Sequence, residues 1–541
     1  MSLRASSCLV AAGLLVAAAA LGPMVRAAPK PALREGARLI PRWPRVRLPL
    51  ASAAQARRAM RAGVELLNPV GVPVPGVLAL RGTHLDFEPA RPLAGCSVYT
   101  LLLRAEGHGP LRIRLRTGCS RWSPPLQIDQ HAHARQPQYA AGDVHLAATA
   151  RGGVVAVWSQ GDGRRSAVFS SRRLADTGSW TPPRRLGRNA PGSDELPAVA
   201  TLGTGQVLAA WVHVRRASAM LLAQCLGNGC VPQRLDRAGL RRGPASVRLA
   251  ADAEGDAVAV WEQPWQGHGA IWAAHWSAAR HRWSPARLLA AGRRGSYAPV
   301  VAGAGDDRFA VAWERGPVGH ESVRARRWRR GRWSAPHRLS AHDVRAQQPR
   351  LALDARGDLA AAWVQGRGAA QRVAVRRMVW PHWTGSSFVL RAHALHAAAA
   401  DPALAFDAAG NLALAWEQQR ARLRPFRIEA ARWPRAAQLP GSVQRLDQPD
   451  GRGAGHPVLV ADPAGNLLCA WYQLGAQGLQ VWMARFDASS LHWQAAQRLS
   501  QPRQTVRASL PALSVDTAGS VTAAWQQYNN WRNIIVARRL P

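Results

Sequence analysis

The stretch GNLALAWEQ, residues 410–418, recurs along the chain as GDAVAVWEQ (255–263), GDLAAAWVQ (357–365), GNLLCAWYQ (465–473) and GSVTAAWQQ (519–527). Setting the tryptophans in register gives Trp158, Trp211, Trp261, Trp313, Trp363, Trp416, Trp471 and Trp525, eight units spaced by 50 to 55 residues. Six residues before the tryptophan stands a glycine in seven units (Gly152, Gly205, Gly255, Gly357, Gly410, Gly465, Gly519). Three residues earlier an aspartate occurs in five (Asp252, Asp354, Asp407, Asp462, Asp516). A period of this length sustained across a chain is the mark of a solenoid or a propeller.

Local chemistry chooses between them. In PALAFDAAGNLALAW (402–416) the aspartate favours the first position of a type I turn and the glycine the fourth, so each unit opens with a β-hairpin. Leu412, Leu414 and Trp416 then point one way and Ala413 and Ala415 the other. Neither face is polar, so both are predicted to be buried, as in a blade packed between two neighbours. A third strand follows, ending in arginine (VRARRW, 323–328; VAVRRM, 373–378; VWMARF, 481–486), and then a fourth (WTPPRRL, 180–186; WSPARLL, 283–289; WSAPHRL, 333–339). Four short strands per unit of about 50 residues is the arithmetic of a propeller blade. The expected fold class is therefore all-β, a β-propeller of eight four-stranded blades.

The two ends of the repeat complement each other. The last unit has a third strand, IIVARRL (534–540), but no fourth, whereas CSRWSPPLQI (119–128) is a fourth strand lying upstream of the first hairpin. Closing the ring with strands from both termini removes the free edges, so the predicted propeller spans residues 119–541. Seven or fewer blades, with one unit diverted, is the alternative.

Ahead of it, residues 1–27 read as a signal peptide: Arg4 in a polar start, an apolar run from Leu9 to Leu21, and VRA at Val25 to Ala27. Cys8 precedes the apolar run, which argues against a lipid anchor there. Residues 28–95 are a Pro/Arg-rich segment expected to pack on the outside of the ring or to stay partly mobile. Residues 96–119 read as a β-hairpin centred on Gly107 and His108, with Cys96 and Cys119 symmetric about the turn and predicted to form a disulfide. A second pair, Cys225–Cys230, suits the same oxidising compartment, and Cys469 is left as a buried small hydrophobe. No later stretch is long and apolar enough to span a membrane, so an exported protein, periplasmic or extracellular, is expected.

The formal net charge is +39, from 71 basic and 32 acidic residues, and Lys30 is the single lysine. That balance calls for an anionic partner: an acidic glycan, lipopolysaccharide or an acidic protein, with nucleic acid less favoured. On the second strand of the 96–119 hairpin, Arg112, Arg114 and Arg116 share one face and form a candidate anion-binding stripe beside the reading of a solvated edge.

The run of a strand ending in arginine, a tight turn and a tryptophan resembles the Asp-box (BNR) repeat of sialidase-type propellers. The copies nearest to that pattern are SSRRLADTGSWTPPRRL, with Asp176, Gly178 and Trp180, and ARFDASSLHWQAAQRL, with Asp487 and Trp493. Their aspartate-to-tryptophan spacings are four and six where the family pattern has five, and other units lack the aspartate. The resemblance implies a propeller fold over about 420 residues. It also implies, for an active member, an arginine triad, a tyrosine nucleophile supported by glutamate, an aspartate acid/base and an Arg-Ile-Pro motif, which is missing here. Tyr472 and Tyr528 are the candidate nucleophiles; Tyr99, Tyr139 and Tyr297 are the remaining tyrosines.

Two residues past the tryptophan stand Gln160, Gln263, Gln365, Gln418, Gln473 and Gln527, which read either as a ring of amides for sugar hydroxyls or, preferred, as satisfiers of buried polar groups. Glu262, Glu314 and Glu417 repeat between tryptophan and glutamine and read as structural, as do the third-strand arginines Arg172, Arg326, Arg376, Arg432, Arg485 and Arg538. His131 and His133, and His393 and His396, read as surface histidines, and no metal or cofactor site is predicted. The leading expectation is an exported, non-catalytic, monomeric propeller that binds an anionic partner through an arginine-rich face. The alternatives are a divergent sialidase-like glycoside hydrolase and an envelope assembly scaffold.

Overall fold

The computed structural model describes residues 38–541 apart from 41–45, 50–52, 106–107, 130–135, 150–151, 188–190, 217, 228–229, 239–242, 380–386, 391–396, 420, 422–424, 450 and 502–506. The histidines at 131, 133, 393 and 396 and the signal sequence lie outside the described residues. The chain divides into two compact units, the first up to Ser120 and the second from Arg121 onward, with residues 463–465 and 488–490 grouped with the first.

The first unit holds two sheets and one helix, Ala53–Ala62. Val98–Ala105 and His108–Thr117 form the expected hairpin, but as the centre of a four-stranded sheet flanked by Val64–Leu67 and, in parallel, by Arg38–Ile40. The second sheet is Val46–Pro49, His84–Pro89 and Gly76–Arg81. Leu66, Leu85, Phe87, Leu93, Tyr99, Leu101 and Leu115 make a separate core, and the Tyr99 hydroxyl accepts the Ala94 N–H at 2.9 Å. Part of the Pro/Arg-rich 28–95 segment is thus a folded layer. Its strands are three to six residues long and unrepeated, too short for alternation to stand out. The Cys96–Cys119 disulfide joins the hairpin ends, with 4.3 Å between Cα atoms.

The second unit is all-β, with antiparallel sheets of four or five strands. Numbered in chain order by their first strands, these are sheet 1 (Ala141–Ala148), sheet 2 (Ser193–Thr201), sheet 3 (Ala245–Ala251), sheet 4 (Ser296–Ala304), sheet 5 (Ala346–Leu353), sheet 6 (Ala399–Phe406), sheet 7 (Gly453–Ala461) and sheet 8 (Ala508–Val515). Each first strand touches the first strand of the next sheet, and that of sheet 8 touches that of sheet 1. The turn chemistry is as the sequence predicts. In sheet 6, Gly410 donates to the Asp407 carbonyl at 2.9 Å with φ +77, and Asp407 Oδ1 accepts the N–H groups of Ala409 and Asn411.

The two apolar faces of each second strand enter different cores. Leu412, Leu414 and Trp416 pack with Ala360 and Ala362 of sheet 5, while Ala413 and Ala415 meet Leu467, Cys469 and Trp471 of sheet 7. Large-against-small packing of this kind lets sheets approach closely, and each tryptophan burial contributes about 4–6 kcal/mol by area, an upper figure. The same pattern joins Trp158 of sheet 1 to Ala524 of sheet 8. Sheet 8 takes its fourth strand from upstream: Leu126–Gln127 pairs antiparallel with Asn533–Leu540. Beside this pair, Arg532 Nη1 meets Asp129 Oδ2 at 2.6 Å, and both side chains are fully buried.

Candidate functional site

Each first strand is interrupted at one place by a shift of register against the second strand. At that bulge one non-glycine residue has a left-handed backbone: Asp143, Leu196, Ser246, Ala298, Gln348, Asp401, His456 and Leu510, with φ between 49 and 55 for seven and 42 for Asp401. In six of the eight the next residue is proline (Pro197, Pro299, Pro349, Pro402, Pro457, Pro511), which has no N–H and so loses no ladder bond at the irregularity.

At four of the bulges the N–H group is taken up by a side chain of the preceding sheet. Glu262 accepts Ala298 N at 3.4 Å, Glu314 accepts Gln348 N at 2.8 Å, and Glu417 accepts His456 N at 2.9 Å. Gln348 Oε1 in turn accepts Asp401 N at 3.0 Å. The repeated glutamates therefore brace the bulges, as a structural reading requires. Burial lifts all three carboxyls above the usual range, and these backbone bonds offset it only in part.

On this frame sheets 5, 6 and 7 bring together a polar cluster. Arg350 donates to Asp401 Oδ1 at 2.7 Å, and His456 Nδ1 lies 2.8 Å from Asp401 Oδ2. Burial alone would lift the Asp401 carboxyl, but His456 and Arg350 outweigh it and hold it below the usual range. The bond to Asp401 lifts the His456 imidazole above its ordinary value against the opposing effect of burial. The His456 ring sits 5.4 Å from that of Tyr472, centroid to centroid. Gly455 makes room between them: a Cβ there would fall 2.8 Å from both Glu417 Oε1 and the Tyr472 hydroxyl.

Charges on other sheets reach the same region. Arg248 of sheet 3 is pushed below its usual range by burial and by Arg350 of sheet 5, with Asp143 of sheet 1 opposing. Groups from sheets 1, 3, 5, 6 and 7 thus share one electrostatic neighbourhood at the inner strands. Two cations stand there, and Asp401 is bonded to Arg350 but already shared with His456.

Of the tyrosine candidates, Tyr472 stands in this cluster and Tyr528 ends a strand at the rim, 36% exposed. Burial, then Glu417 and Asp401, raise the Tyr472 phenol, so its neighbours make it harder to ionise. Arg112, Arg114 and Arg116 are exposed on one face of their strand, in the first unit. The glutamines are internal fittings: Trp158, Trp261, Trp363, Trp416, Trp471 and Trp525 each donate the indole N–H to the glutamine two residues on, at 2.8–3.3 Å. In sheet 2, Trp211 donates to Asp194, which also meets His213. The third-strand arginine Arg432 braces the hairpin turn through Asp407 Oδ2 at 2.9 Å.

Asp401, His456, Arg248 and Arg350 were not singled out by sequence. For Asp401 and His456 the signal is the residue just before the repeat proline, which changes from unit to unit while its frame stays fixed; Arg350 follows that proline, and Arg248 holds the same place in sheet 3, where Val247 stands for the proline.

No protein-family model and no curated protein matches the chain. Among solved structures it is similar to an ulvan lyase from a new polysaccharide lyase family, at 10% identity over 74% of this chain and 95% of that one, TM-score 0.43. It is also similar to a Penicillium chrysogenum alpha-L-arabinanase complexed with arabinobiose (8% identity, 77% and 98% covered, TM-score 0.39) and to a mutant NanB sialidase from Streptococcus pneumoniae (8%, 82% and 89%, TM-score 0.34). The likeness is remote in every case.

Proposed function

We propose that the chain is an exported eight-bladed β-propeller, closed by strands from both termini, that binds an acidic glycan at the inner-strand cluster without transforming it. The blade count rests on the eight sheets and the contact of sheet 8 with sheet 1; the closure rests on the pairing of Leu126–Gln127 with Asn533–Leu540. Export rests on the signal-like residues 1–27 and fits the Cys96–Cys119 and Cys225–Cys230 disulfides, which suit a periplasmic or extracellular setting. Among the described residues no helix is long and apolar enough to cross a membrane.

The binding reading rests on the convergence of Arg350, Asp401 and His456 from three sheets, together with Arg248, which is disfavoured as a cation first by burial and then by repulsion from Arg350. A carboxylate or sulfate on a sugar ring relieves that repulsion with charge-assisted hydrogen bonds. Exposed Leu196 and Leu510 at two other bulges give apolar surface for a sugar face. The raised Tyr472 phenol favours binding over nucleophilic catalysis.

The test is titration of the purified chain with uronic-acid oligosaccharides at low and moderate salt. Arg248→Ala and Arg350→Ala are each expected to weaken binding about tenfold, in line with a charged hydrogen bond of about 1.5–3 kcal/mol. The triple Arg112/Arg114/Arg116→Ala variant is expected to change it little. The opposite ranking would move the site to the first unit. Turnover of the oligosaccharide that is abolished in Tyr472→Phe would replace the binder with the hydrolase reading.

A further inference from the structure

The repeat is broken three times at one spot between sheets 3 and 4. In seven units the residue six before the tryptophan is glycine; in sheet 4 it is Asp307, held in the left-handed region at φ +51. The third-strand residue facing the position three before the tryptophan is Arg432 in sheet 6, Arg485 in sheet 7 and Arg539 in sheet 8, but His275 in sheet 3. The residue four past the turn aspartate is Asn411 in sheet 6 and Asn466 in sheet 7, but Asp256 in sheet 3.

These departures converge. One donor atom from each of Asp256, His275 and Asp307 lies within 4.8 Å of the others, and His275 Nε2 is 3.2 Å from Asp307 Oδ1. Trp328 fixes the group from behind, donating its indole N–H to Asp307 Oδ1 at 2.6 Å while its ring stacks on His275 at 4.9 Å. Asp256 Oδ1 accepts Ala278 N at 2.7 Å.

A second observation marks the place as short of positive charge. Asp252 is 5% exposed, and its Oδ2 is buried without a hydrogen-bond partner among the described residues. The matching atom in sheet 6, Asp407 Oδ2, takes Asn411 Nδ2 at 2.8 Å and Arg432 at 2.9 Å. By that equivalence Asp252 Oδ2 faces the meeting point of side chains 256 and 275. In sheet 5, where Asp354 and Asp358 also stand together, Arg435 meets Asp358 at 3.0 Å. In sheet 3 His275 stands at the register position that Arg377 holds in sheet 5.

We propose that Asp256, His275 and Asp307 bind a divalent transition cation, zinc by preference, between sheets 3 and 4. One imidazole and two carboxylates form a mixed nitrogen and oxygen donor set suited to zinc, whereas calcium prefers oxygen alone. Ligand distances of about 2.0–2.2 Å would draw the three donor atoms together from their present spacing of up to 4.8 Å. Asp307 and His275 come from different sheets, so the ion ties two repeat units together.

The experiment uses the untagged, chelator-treated chain titrated with zinc by calorimetry, beside His275→Arg and Asp307→Gly. Each substitution restores the residue type that other repeats carry, so both variants are expected to fold. Wild type is expected to bind one zinc per chain at its tightest site and to melt at a higher temperature when loaded. Both variants are expected to lose that site and the gain in melting temperature. His275→Arg is expected to melt above metal-free wild type, because the new guanidinium supplies Asp252 with a partner. Unchanged zinc stoichiometry and affinity in both variants, or no saturable one-to-one site in wild type, would overturn the proposal.

Discussion

Replacing Asp129 by alanine removes the acceptor that ties the upstream strand to the last one, 403 residues later in sequence. Asp129 accepts Arg532 Nη1 at 2.6 Å and Ile535 N at 3.0 Å. Arg532 also donates to the carbonyls of Tyr139 and Asn533, but among the described residues its Nε and Nη2 have no hydrogen-bond partner. Without Asp129 a fully buried guanidinium keeps its charge with only carbonyls around it. Leaving such an ion unpaired costs about 3–5 kcal/mol, and the stranded Ile535 N–H about 1 more. With an unfolding entropy of about 2.1 cal/mol/K per residue over roughly 420 residues, the melting temperature is expected to fall by about 4–7 °C. The control is Asp447→Ala in sheet 6, whose carboxylate likewise accepts a third-strand N–H, from Ile428 at 3.0 Å, and meets a more exposed Arg445. That loss is local and is expected to cost about 1–2 kcal/mol. Calorimetric melts of both, with the double replacement Asp129→Leu/Arg532→Met, decide the matter. The double replacement is expected to recover most of the loss, because an apolar pair of similar volume needs no compensation. Equal effects of Asp129→Ala and Asp447→Ala would refute the assignment of closing energy to this pair.

Trp416→Ala is expected to cost about 3–5 kcal/mol in denaturant unfolding, through the cavity between sheets 5 and 6; a loss under about 1 kcal/mol would deny that the repeat tryptophan seals the sheets. The Asp401 bond raises the folded-state value of His456, so its contribution to stability is complete below the unfolded value of about 6.5 and is lost as pH rises through the raised value. The stability difference between wild type and His456→Asn should therefore shrink over that window, and a difference that grows with pH would contradict the pairing. Gly455→Ala drives a methyl group against Glu417 and Tyr472. Oligosaccharide titration should show affinity falling by more than the melting temperature suggests, and unchanged affinity would remove Tyr472 and Glu417 from the binding region.

Much of the all-β architecture was legible because a repeated unit repeats its demands. Glycine, tryptophan and alternating large and small residues recur wherever a turn and two buried faces recur, so Leu412, Ala413 and Trp416 announce their surroundings from sequence alone. The glutamines were readable as internal for the same reason, although the partner they satisfy is the indole two residues back, across one strand pleat. The first unit was less legible, since Val64–Leu67 and His84–Pro89 occur once each and carry no register. Arg248, Arg350, Asp401 and His456 escaped because they lie up to 208 residues apart and meet only when sheets 3, 5, 6 and 7 are packed. A hairpin pattern predicts which side of a strand a residue takes, but a bulge changes that side midway, and nothing in the alternation of Ala399–Phe406 marks the change.

The bulges divide the labour of each repeat between two kinds of position. The tryptophan in every repeat, the proline in six and the bracing glutamate in three hold the backbone, and none of them needs a particular side chain at the residue with the left-handed backbone. Acid, imidazole, amide, hydroxyl, methyl and leucine all occupy that place in this one chain. The protein therefore carries eight addressable sockets in a common frame. Exchanging only the occupants at 143, 196, 246, 298, 348, 401, 456 and 510 would retune the inner surface while leaving each repeat's scaffold residues in place.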